Sequence, residues 1–298
     1  MLGSTRVSTI RDADAVAPPR RRTPALVRTL TRNKGAVIGL LILLAWLVVS
    51  VAAPLVTPYD PLEPVGAGRD APSLEHLFGT DLLGRDVLSR VLYGSRISLL
   101  IGVISVAIGL TFGLLLGLPA GYYGAWTDGV IMRLIDAMLA FPGLLLALVV
   151  IAALGPGLTN AMLAVGIASI PLYARLVRGQ CLSIRELEYV QAARVVGSRD
   201  LRIMARHVLP NLVGPVIVLS TLQIGAAILV GSSLSYLGLG AQPPTPEWGL
   251  MAADGRAYLA RQWWLSTFPS LAIFSVVIGV NLLGDGLRAA LDPRTRKA

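Results

Sequence analysis

The stretch "EYVQAARVVGSRDLRIMARHVLPN", residues 188–211, is charged and amphipathic, yet it lies between long apolar runs. Spacing of i, i+3, i+4 and i+7 predicts a helix with one apolar stripe, made of Leu201, Met204, Ala205 and Val208. A second face of that helix carries Arg199, Arg202 and Arg206. The stretch is therefore a helical insert whose function depends on what surrounds it.

The insert is predicted to be two short helices joined by a glycine turn. A first helix is expected over about 183–196, and Gly197 suits the left-handed position just past its end. Ser198 suits the N-cap of the second helix, with Asp200 in its first turn. Pro210 is expected to end that helix. Two interpretations stay open: helices held on the membrane surface by arginines, or a docking element for a cytoplasmic partner.

The composition of the whole chain indicates a membrane protein that crosses the bilayer several times. Of its 298 residues 54% are hydrophobic and only 14% are charged, and the mean hydropathy is +0.69. Soluble domains carry about 25% charged residues. The formal net charge of +9 therefore indicates how the chain is oriented in the membrane rather than a nucleic-acid-binding surface, because the basic residues flank apolar runs. The single cysteine, Cys181, excludes an internal disulfide and a multi-cysteine metal site.

Apolar runs long enough for a bilayer predict an all-α protein with six transmembrane helices, since one crossing takes about 20 residues. The first run is not a cleaved signal peptide, because it is too long and follows a basic tail of 35 residues. The runs are 36–56, 97–119, 138–154 (extended backwards through Ile131), 159–174 (continuing to Val177), 213–239 and 267–284.

The distribution of Lys and Arg predicts the orientation. If six helices alternate, 20 of the 26 basic residues fall on one side, which is the cytoplasmic side by the positive-inside rule. Both termini and the insert are then expected in the cytoplasm. Residues 57–96 and 240–266 are expected outside.

Four motifs, in order along the chain, resemble a known family. The first is the insert, whose Glu188, Ala192, Ala193, Gly197, Ile203, Leu209 and Pro210 resemble the "EAA" loop of ABC-importer permeases. The other three are "FGTDLLGRDVLSRVLYGSRISL" (78–99), "LSYLGLGAQPPTPEWG" (234–249) and "NLLGDGLRAALDPR" (281–294). Together they are similar to the shorter of the two permeases in dipeptide, oligopeptide and nickel importers. The resemblance implies the type I, MetI-like permease fold in a bacterial plasma (inner) membrane.

The resemblance also implies an organisation of the chain. A basic cytoplasmic tail is expected at 1–35, followed by the first transmembrane helix and an external segment at 36–96. The permease core is expected at 97–291, with the cytoplasmic EAA coupling loop at about 180–211. A short cytoplasmic tail, 292–298, completes the chain.

Partners are part of the same expectation: a homologous second permease, two cytoplasmic ABC ATPases that hold ATP and Mg, and an extracytoplasmic substrate-binding protein. The chain itself is expected to be no enzyme and to hold no cofactor and no metal. A phosphate-binding P-loop needs a Gly-Lys pair. The lysines, Lys34 and Lys297, do not follow a glycine.

Candidate site residues fall into three groups. The expected coupling-loop residues are Glu188, Ala192, Ala193, Gly197, Ser198, Arg199, Asp200, Ile203, His207, Leu209 and Pro210. The external residues, expected to form an ordered plug or receptor-contact surface rather than a plain loop, are Gly79, Thr80, Asp81, Gly84, Arg85, Asp86 and Trp248. The acidic external segment lacks the ligand pattern of an EF-hand, and Trp248 suits either a contact with the binding protein or an interfacial anchor. Gln223 and Asn281 are candidates for lining the pathway.

The substrate expected from the resemblance is a short peptide, with nickel complexes or glutathione as alternatives that the sequence does not separate. An ion-coupled secondary transporter is the alternative from a different class. It is disfavoured because Asp136 and Asp285 lie near span ends and no inverted repeat is evident. An intramembrane metalloprotease is disfavoured because no H-E-x-x-H motif is present.

Overall fold

A computed structural model describes residues 30–291, and this range is helical, without a β-strand. The predicted tails, except for residues 30–35, lie outside the described residues. The helices are α1 (Lys34–Val56), α2 (Val87–Tyr123), α3 (Ala125–Leu139), α4 (Gly143–Leu154), α5 (Leu158–Arg185), α6 (Glu188–Val195), α7 (Asp200–Ile203), α8 (Leu209–Tyr236), α9 (Trp248–Gly255) and α10 (Trp264–Leu291). A π-helical turn, Met204–Val208, joins α7 to α8, and a 3₁₀ turn, Arg256–Tyr258, follows α9. The all-α prediction is confirmed.

Five helical segments are long and apolar enough to cross a membrane: α1, α2, α5, α10 and the continuous helix of 37 residues from Asp200 to Tyr236. The third predicted span is not one straight helix. It is the pair α3 and α4, which meet at an angle of 92°. Pro142, the residue before α4, accounts for the break, because proline disfavours the helical conformation of the residue that precedes it.

Interactions between distant segments define the two ends of the helical bundle. At one end, Trp264 Nε1 at the start of α10 donates a hydrogen bond to the carbonyl oxygen of Thr80 (3.3 Å). This end carries residues 57–86, which we call the cap. At the other end, the Tyr122 hydroxyl near the end of α2 donates to Asp200 Oδ1 in the insert (2.8 Å). We call these the cap end and the insert end.

The bent pair α3–α4 connects the two ends. α3 begins at the insert end, directly after the turn at Gly124 that closes α2. Three residues past α4, the Gly157 N–H donates to the carbonyl oxygen of Leu239, beyond the cap end of α8 (3.0 Å). The pair therefore passes once from the insert end to the cap end, and the bundle has six crossings when it counts as one.

Small residues bring α2 and α5 into backbone contact. In the second half of α2, from 109 to 121, every fourth residue is a glycine facing α5: Gly109, Gly113, Gly117 and Gly121. A Cβ placed on Gly117 would lie 2.5 Å from the carbonyl oxygen of Ala174 and 2.9 Å from Val177 Cβ. A Cβ on Gly121 would lie 2.7 Å from Cys181 Cβ, so the buried cysteine is a packing residue. Lipid is as apolar as the helix surface, so the hydrophobic effect does not drive helices together within a membrane. Close van der Waals packing of this kind holds them together instead.

Helix α1 packs antiparallel along α10. A Cβ on Gly39 would lie 2.8 Å from the backbone nitrogen of Leu283. Further along, Trp46 Nε1 donates to Ser275 Oγ (2.8 Å). The first and last described helices therefore lie side by side, with Lys34 and Leu291 both at the insert end.

The glycine turn of the insert has the predicted conformation, with Gly197 at φ +86°. The first helix is shorter than predicted, because α5 extends to Arg185 and α6 begins only at Glu188. The N-cap expectation for Ser198 is wrong. Its N–H instead donates to the carbonyl oxygen of Ala193 (3.1 Å), which closes the end of α6, and Arg199 occupies the N-cap position without a side-chain cap.

The expectation that Pro210 ends the second helix is also wrong. The helix widens into the π turn just before it, where the Leu209 N–H bonds to the carbonyl oxygen of Met204, five residues back. Pro210 then lies in the first turn of α8, where a missing N–H costs little. The second helix of the insert is thus the beginning of the fifth crossing.

Candidate functional site

The tip of the insert is an exposed apolar surface around the Gly197 turn. Val195 is 87% exposed, Val196 85% and Leu201 75%. A Cβ built on Gly197 would meet no atom within 4 Å, so the space in front of the turn is open. Glu188 and Ala192 are exposed on α6. Exposed apolar groups clustered on a polar element are typical of a contact surface.

The opposite side of the insert packs into the bundle. Val190, Ile203, Met204 and Val208 are buried in one cluster with residues of α2 and α5. Ala193, which was expected on the docking side, packs against this cluster. The predicted stripe is therefore only half right. Met204 and Val208 are buried, while Leu201 and Ala205 are exposed and Ile203 takes their place, because contacts with α2 and α5 decide which face is covered.

Polar contacts fasten the insert to the end of α2, and α2 is in turn tied to α5. Besides the hydrogen bond from Tyr122 to Asp200, the Arg194 guanidinium lies over the Tyr122 ring, 5.2 Å from its centroid. Arg185, the last residue of α5, joins that helix to α2, because its Nη1 donates to the carbonyl oxygen of Gly121 (2.9 Å). Movement of the insert is thereby connected to α2 and α5.

The remaining coupling-loop candidates lie on the outer surface of the second helix. Arg199, Arg202 and Arg206 are exposed and form no ion pair with any acid of the described range. The His207 ring lies 6.1 Å from the ring of Tyr189, and Asn211 Nδ2 donates to the Tyr189 hydroxyl (3.0 Å). Leu209 and Pro210 are exposed. The outer surface is therefore basic next to an apolar tip.

Two acids of α3, Asp128 and Asp136, are paired with arginines of α5. Asp136 accepts a hydrogen bond from Arg175 Nη2 (2.6 Å). Asp128 accepts from two nitrogens of Arg178, which ties α3 to α5. These pairs are structural contacts at a helix end.

The predicted external residues form the interior of the cap. Asp86 caps α2, since its Oδ2 accepts from the Ser89 N–H (2.7 Å), and its Oδ1 lies 3.1 Å from His76 Nδ1. Thr80 Oγ1 donates to the carbonyl oxygen of Ala67 (2.7 Å). Gly79 and Gly84 have positive φ angles of +74° and +78°. Asp81 forms an ion pair with Arg85, with Nε and Oδ2 2.7 Å apart.

Within residues 30–291 no group of three or more potential ligands is placed to hold a metal ion.

The outer surface of the cap carries leucines that sequence reasoning missed. Four leucines of the cap are exposed: Leu62, Leu74, Leu77 and Leu83. The motif residues at 79–86 thus stabilise the interior of the cap, whereas these four leucines form its exposed apolar surface.

Trp248 lies in the protein interior, which contradicts the expectation of an interfacial position. The side chain is fully buried. Its Nε1 donates to the carbonyl oxygen of Val91 (2.9 Å), and its ring meets that of Trp46 edge-on at 4.9 Å. Trp248 therefore joins α1, α2 and α9 in the core.

Glu247, beside it, is a buried acid that sequence reasoning did not single out. Its carboxylate caps α9 by accepting from the backbone N–H groups of Gly249 and Leu250, both at 2.9 Å. Ser232 and Ser98 approach the same carboxylate at 3.3 and 3.4 Å. Burial raises the pKa of Glu247 above its ordinary value, although these hydrogen bonds oppose the shift. The sequence does contain a signal for a buried acid here, because Glu247 lies between apolar segments and directly precedes the apolar stretch "WGLM".

The two pathway candidates are not brought together. Gln223 lines a cavity of about 130 Å³ between α4, α5 and α8, with Gly143 and Ser169 on its other walls. The Gln223 amide makes no hydrogen bond to the rest of the described chain, so it is available to the cavity. Asn281 lies on the exposed face of α10, away from this cavity.

Residues 109–297 match the family described as the binding-protein-dependent transport system inner membrane component. The chain belongs to this family. Residues 25–72 also match the N-terminal transmembrane domain of oligopeptide transport permease C. The protein is therefore a multi-pass inner-membrane permease of the ABC-importer type, as the four motifs indicated.

Named relatives agree with this assignment. The chain is 46% identical to the dipeptide transport system permease protein of Alkalihalophilus pseudofirmus, over 90% of this chain and 89% of that protein. It is 46% identical to the di/tripeptide permease of Pseudomonas aeruginosa, covering 91% and 92%. It is also 46% identical to the glutathione permease of Pectobacterium atrosepticum, covering 90% of each.

A solved structure confirms the permease fold. The chain superposes on a chain of the inward-facing methionine ABC transporter MetNI with a TM-score of 0.55 at 16% identity. The match covers 67% of this chain and 96% of that chain. The type I permease fold predicted from the motifs is thereby confirmed.

Proposed function

We propose that this permease forms, with a homologous second permease, the pathway of an ATP-driven importer for short peptides. An extracytoplasmic binding protein delivers the peptide, and two cytoplasmic ATPases supply the energy. The named relatives support the substrate class, because dipeptide, di/tripeptide and glutathione permeases are all about equally similar to this chain. Dipeptides are the main proposal, with glutathione and nickel complexes as alternatives.

The insert is the docking element for the ATPases, and the exposed apolar tip around Gly197 is the observation that carries this proposal. A tip of this kind would bury its valines and leucine in a partner groove. The inner side of the same element is hydrogen-bonded to α2 through Asp200 and Tyr122, and it packs against α5. Docking therefore acts directly on the crossings that surround the pathway.

The orientation follows from this role. The insert end is cytoplasmic, and it also carries the exposed arginines of the insert and Lys34, the start of α1. The cap is extracytoplasmic and is the surface that receives the binding protein, with its exposed leucines as contacts. This arrangement puts both termini in the cytoplasm, with the core at 97–291 and the first helix and cap joined ahead of it.

Gln223 is the side chain most suited to line the pathway. A polar amide in a crossing is expected to face protein or water rather than lipid. Its cavity is bounded by α4, the second half of the bent pair, so a change in the bend would change the cavity. Asn281, exposed on α10 and away from this cavity, is the weaker pathway candidate.

Two substitutions test docking without disturbing the chain itself. Ala192→Glu and Val196→Asp both place a charge on an exposed position of α6 or its end. We expect each to abolish co-purification of the ATPases and uptake in vesicles, while the amount of permease in the membrane stays unchanged. Ala193 is unsuitable for this purpose, because a charge there would also disturb the packed side of the insert.

The membrane-surface alternative makes the opposite prediction. In that case the triple variant Arg199→Gln, Arg202→Gln, Arg206→Gln would weaken membrane association of the insert, and the two charge variants would behave like the unsubstituted chain. Normal ATPase association in both Ala192→Glu and Val196→Asp would refute the docking role. Uptake of labelled dipeptide, glutathione and nickel by the same vesicles separates the three substrates.

A further inference from the structure

A cleft of about 270 Å³ opens at the cap end, apart from the Gln223 cavity. Its walls come from the cap, from the start of α2, from Pro243–Pro244 and from α9. Small-ligand sites commonly measure about 300–1,000 Å³, so the cleft suits a ligand of very few residues. Most of its lining is apolar, and four charged residues share it: Asp81, Arg85, Arg90 and Asp254.

Two of these four residues are occupied by contacts within the protein. Arg90 Nη1 donates to the carbonyl oxygen of Pro61 (2.7 Å), and both its terminal nitrogens reach the carbonyl oxygen of Pro244 (3.5 Å). Asp81 accepts from Arg85 Nε and lies 3.4 Å from Arg90 Nε. Their charges and hydrogen-bonding groups are largely used in holding the cap on α2.

Arg85 and Asp254 each keep groups for a ligand. Arg85 is only 6% exposed, yet within residues 30–291 its two terminal nitrogens make no hydrogen bond. Asp254 accepts no hydrogen bond and forms no ion pair in the same range. Burial raises the pKa of Asp254 above its ordinary value, and the positive charges of Arg90 and Arg85 oppose that rise, so Asp254 lies within the electrostatic reach of both arginines. The cleft thus offers one cationic and one anionic group.

We propose that this cleft binds a small zwitterion, with Arg85 holding its carboxylate and Asp254 its ammonium group. Arginine suits a carboxylate because its terminal nitrogens form paired charge-assisted hydrogen bonds. A free dipeptide carries both termini on a body small enough for the apolar walls. The choice of a peptide as the ligand rests on the proposed function. The site is on the external cap, outside the cavity assigned to the pathway.

The experiment matches each charge of the ligand with one residue. Binding of dialanine, N-acetyl-dialanine and dialanine amide to the full-length chain in nanodiscs is measured by calorimetry, without a binding protein. Loss of one charged contact is expected to weaken binding about tenfold or more. Dialanine should therefore bind about tenfold more tightly than either blocked peptide.

The variants should select among the ligands. Asp254→Asn should weaken dialanine binding about tenfold and leave N-acetyl-dialanine unchanged, because that peptide has no ammonium group. Arg85→Gln should weaken both of these peptides and leave dialanine amide unchanged, and Arg85→Lys should restore part of the affinity. Asp254 is not part of the Asp81–Arg85 ion pair, so its variant leaves that pair intact.

Several results would overturn the proposal. These are absence of dialanine binding, equal binding of all three peptides, or variant effects that do not follow the blocked terminus. If dialanine does not bind while Arg85→Gln lowers affinity for the binding protein, the cleft holds an acidic side chain of that protein instead. Uptake by the complete unsubstituted complex is the separate test of the proposed function, because it can succeed whether or not the cleft binds peptide.

Discussion

Substituting Gly117 with alanine should separate α2 from α5. The new Cβ would lie 2.5 Å from the carbonyl oxygen of Ala174, and a backbone atom cannot turn aside as a flexible side chain can. Inserting a methylene into a packed interior costs about 1–3 kcal/mol. Alanine gains about 1 kcal/mol over glycine in a helix. The net loss expected for Gly117→Ala is therefore up to about 2 kcal/mol.

Gly179→Ala is the matched control, because Gly179 lies on α5 and a Cβ there would meet no atom within 4 Å. It keeps the helix-propensity gain and adds no clash. The assay is the free energy of unfolding of the full-length chain, titrated with denaturing detergent in mixed micelles. If the two variants agree to within about 0.5 kcal/mol, the ordinary effect of a surface substitution, the contact between α2 and α5 is not what stabilises the bundle.

Three further outcomes are expected. Because the pKa of Glu247 is raised in the folded protein, the stability that it contributes is complete below the ordinary pKa of a glutamate and is lost as the pH rises through the raised value. The melting temperature of the unsubstituted chain should therefore fall over this pH range, and that of Glu247→Gln should not show this fall. Tyr122→Phe, which loses the 2.8 Å hydrogen bond to Asp200, should cost about 1 kcal/mol and lower uptake while the ATPases still co-purify; unchanged uptake would show that this bond carries no coupling. Trp248→Ala should cost about 3–5 kcal/mol of unfolding free energy, whereas a surface anchor would cost almost nothing.

Apolar runs predicted most of the helices, because length and hydropathy alone decide whether a segment can cross a bilayer. The predicted first run, 36–56, differs from α1 by two residues at one end. The second was ten residues short at its start, since α2 begins in the polar sequence after Asp86. Here a side-chain cap, rather than hydropathy, determines where the helix begins.

Local rules failed where tertiary contacts override them. The proline rule predicts a helix end at Pro210, but a π turn precedes the proline and the helix continues through it. Leu201 and Ala205 match a helical stripe equally well as Met204, and only contacts with α2 and α5 show which are covered. Spacing along the chain contains no information about those neighbours.

The candidate site was only partly predicted, again because contacts between distant segments cannot be deduced from spacing along the chain. Motif resemblance located the insert and the cap, but it could not say which motif residues face outward. The exposed tip at Val195 and Val196 lies between motif positions, and the buried Glu247 precedes a motif tryptophan that is itself buried. Exposure is a property of the packed bundle, so these assignments needed the structure.

The π turn at Met204–Val208 also sets the rotational phase of the fifth crossing. A π turn holds one residue more than an α-helix does, and one residue corresponds to about 100° around the helix axis. Without it, α8 would be turned by that angle relative to the insert, and Gln223 would leave the wall of its cavity. The direction in which the pathway amide points is thus determined fifteen residues away, next to the surface proposed to meet the ATPases.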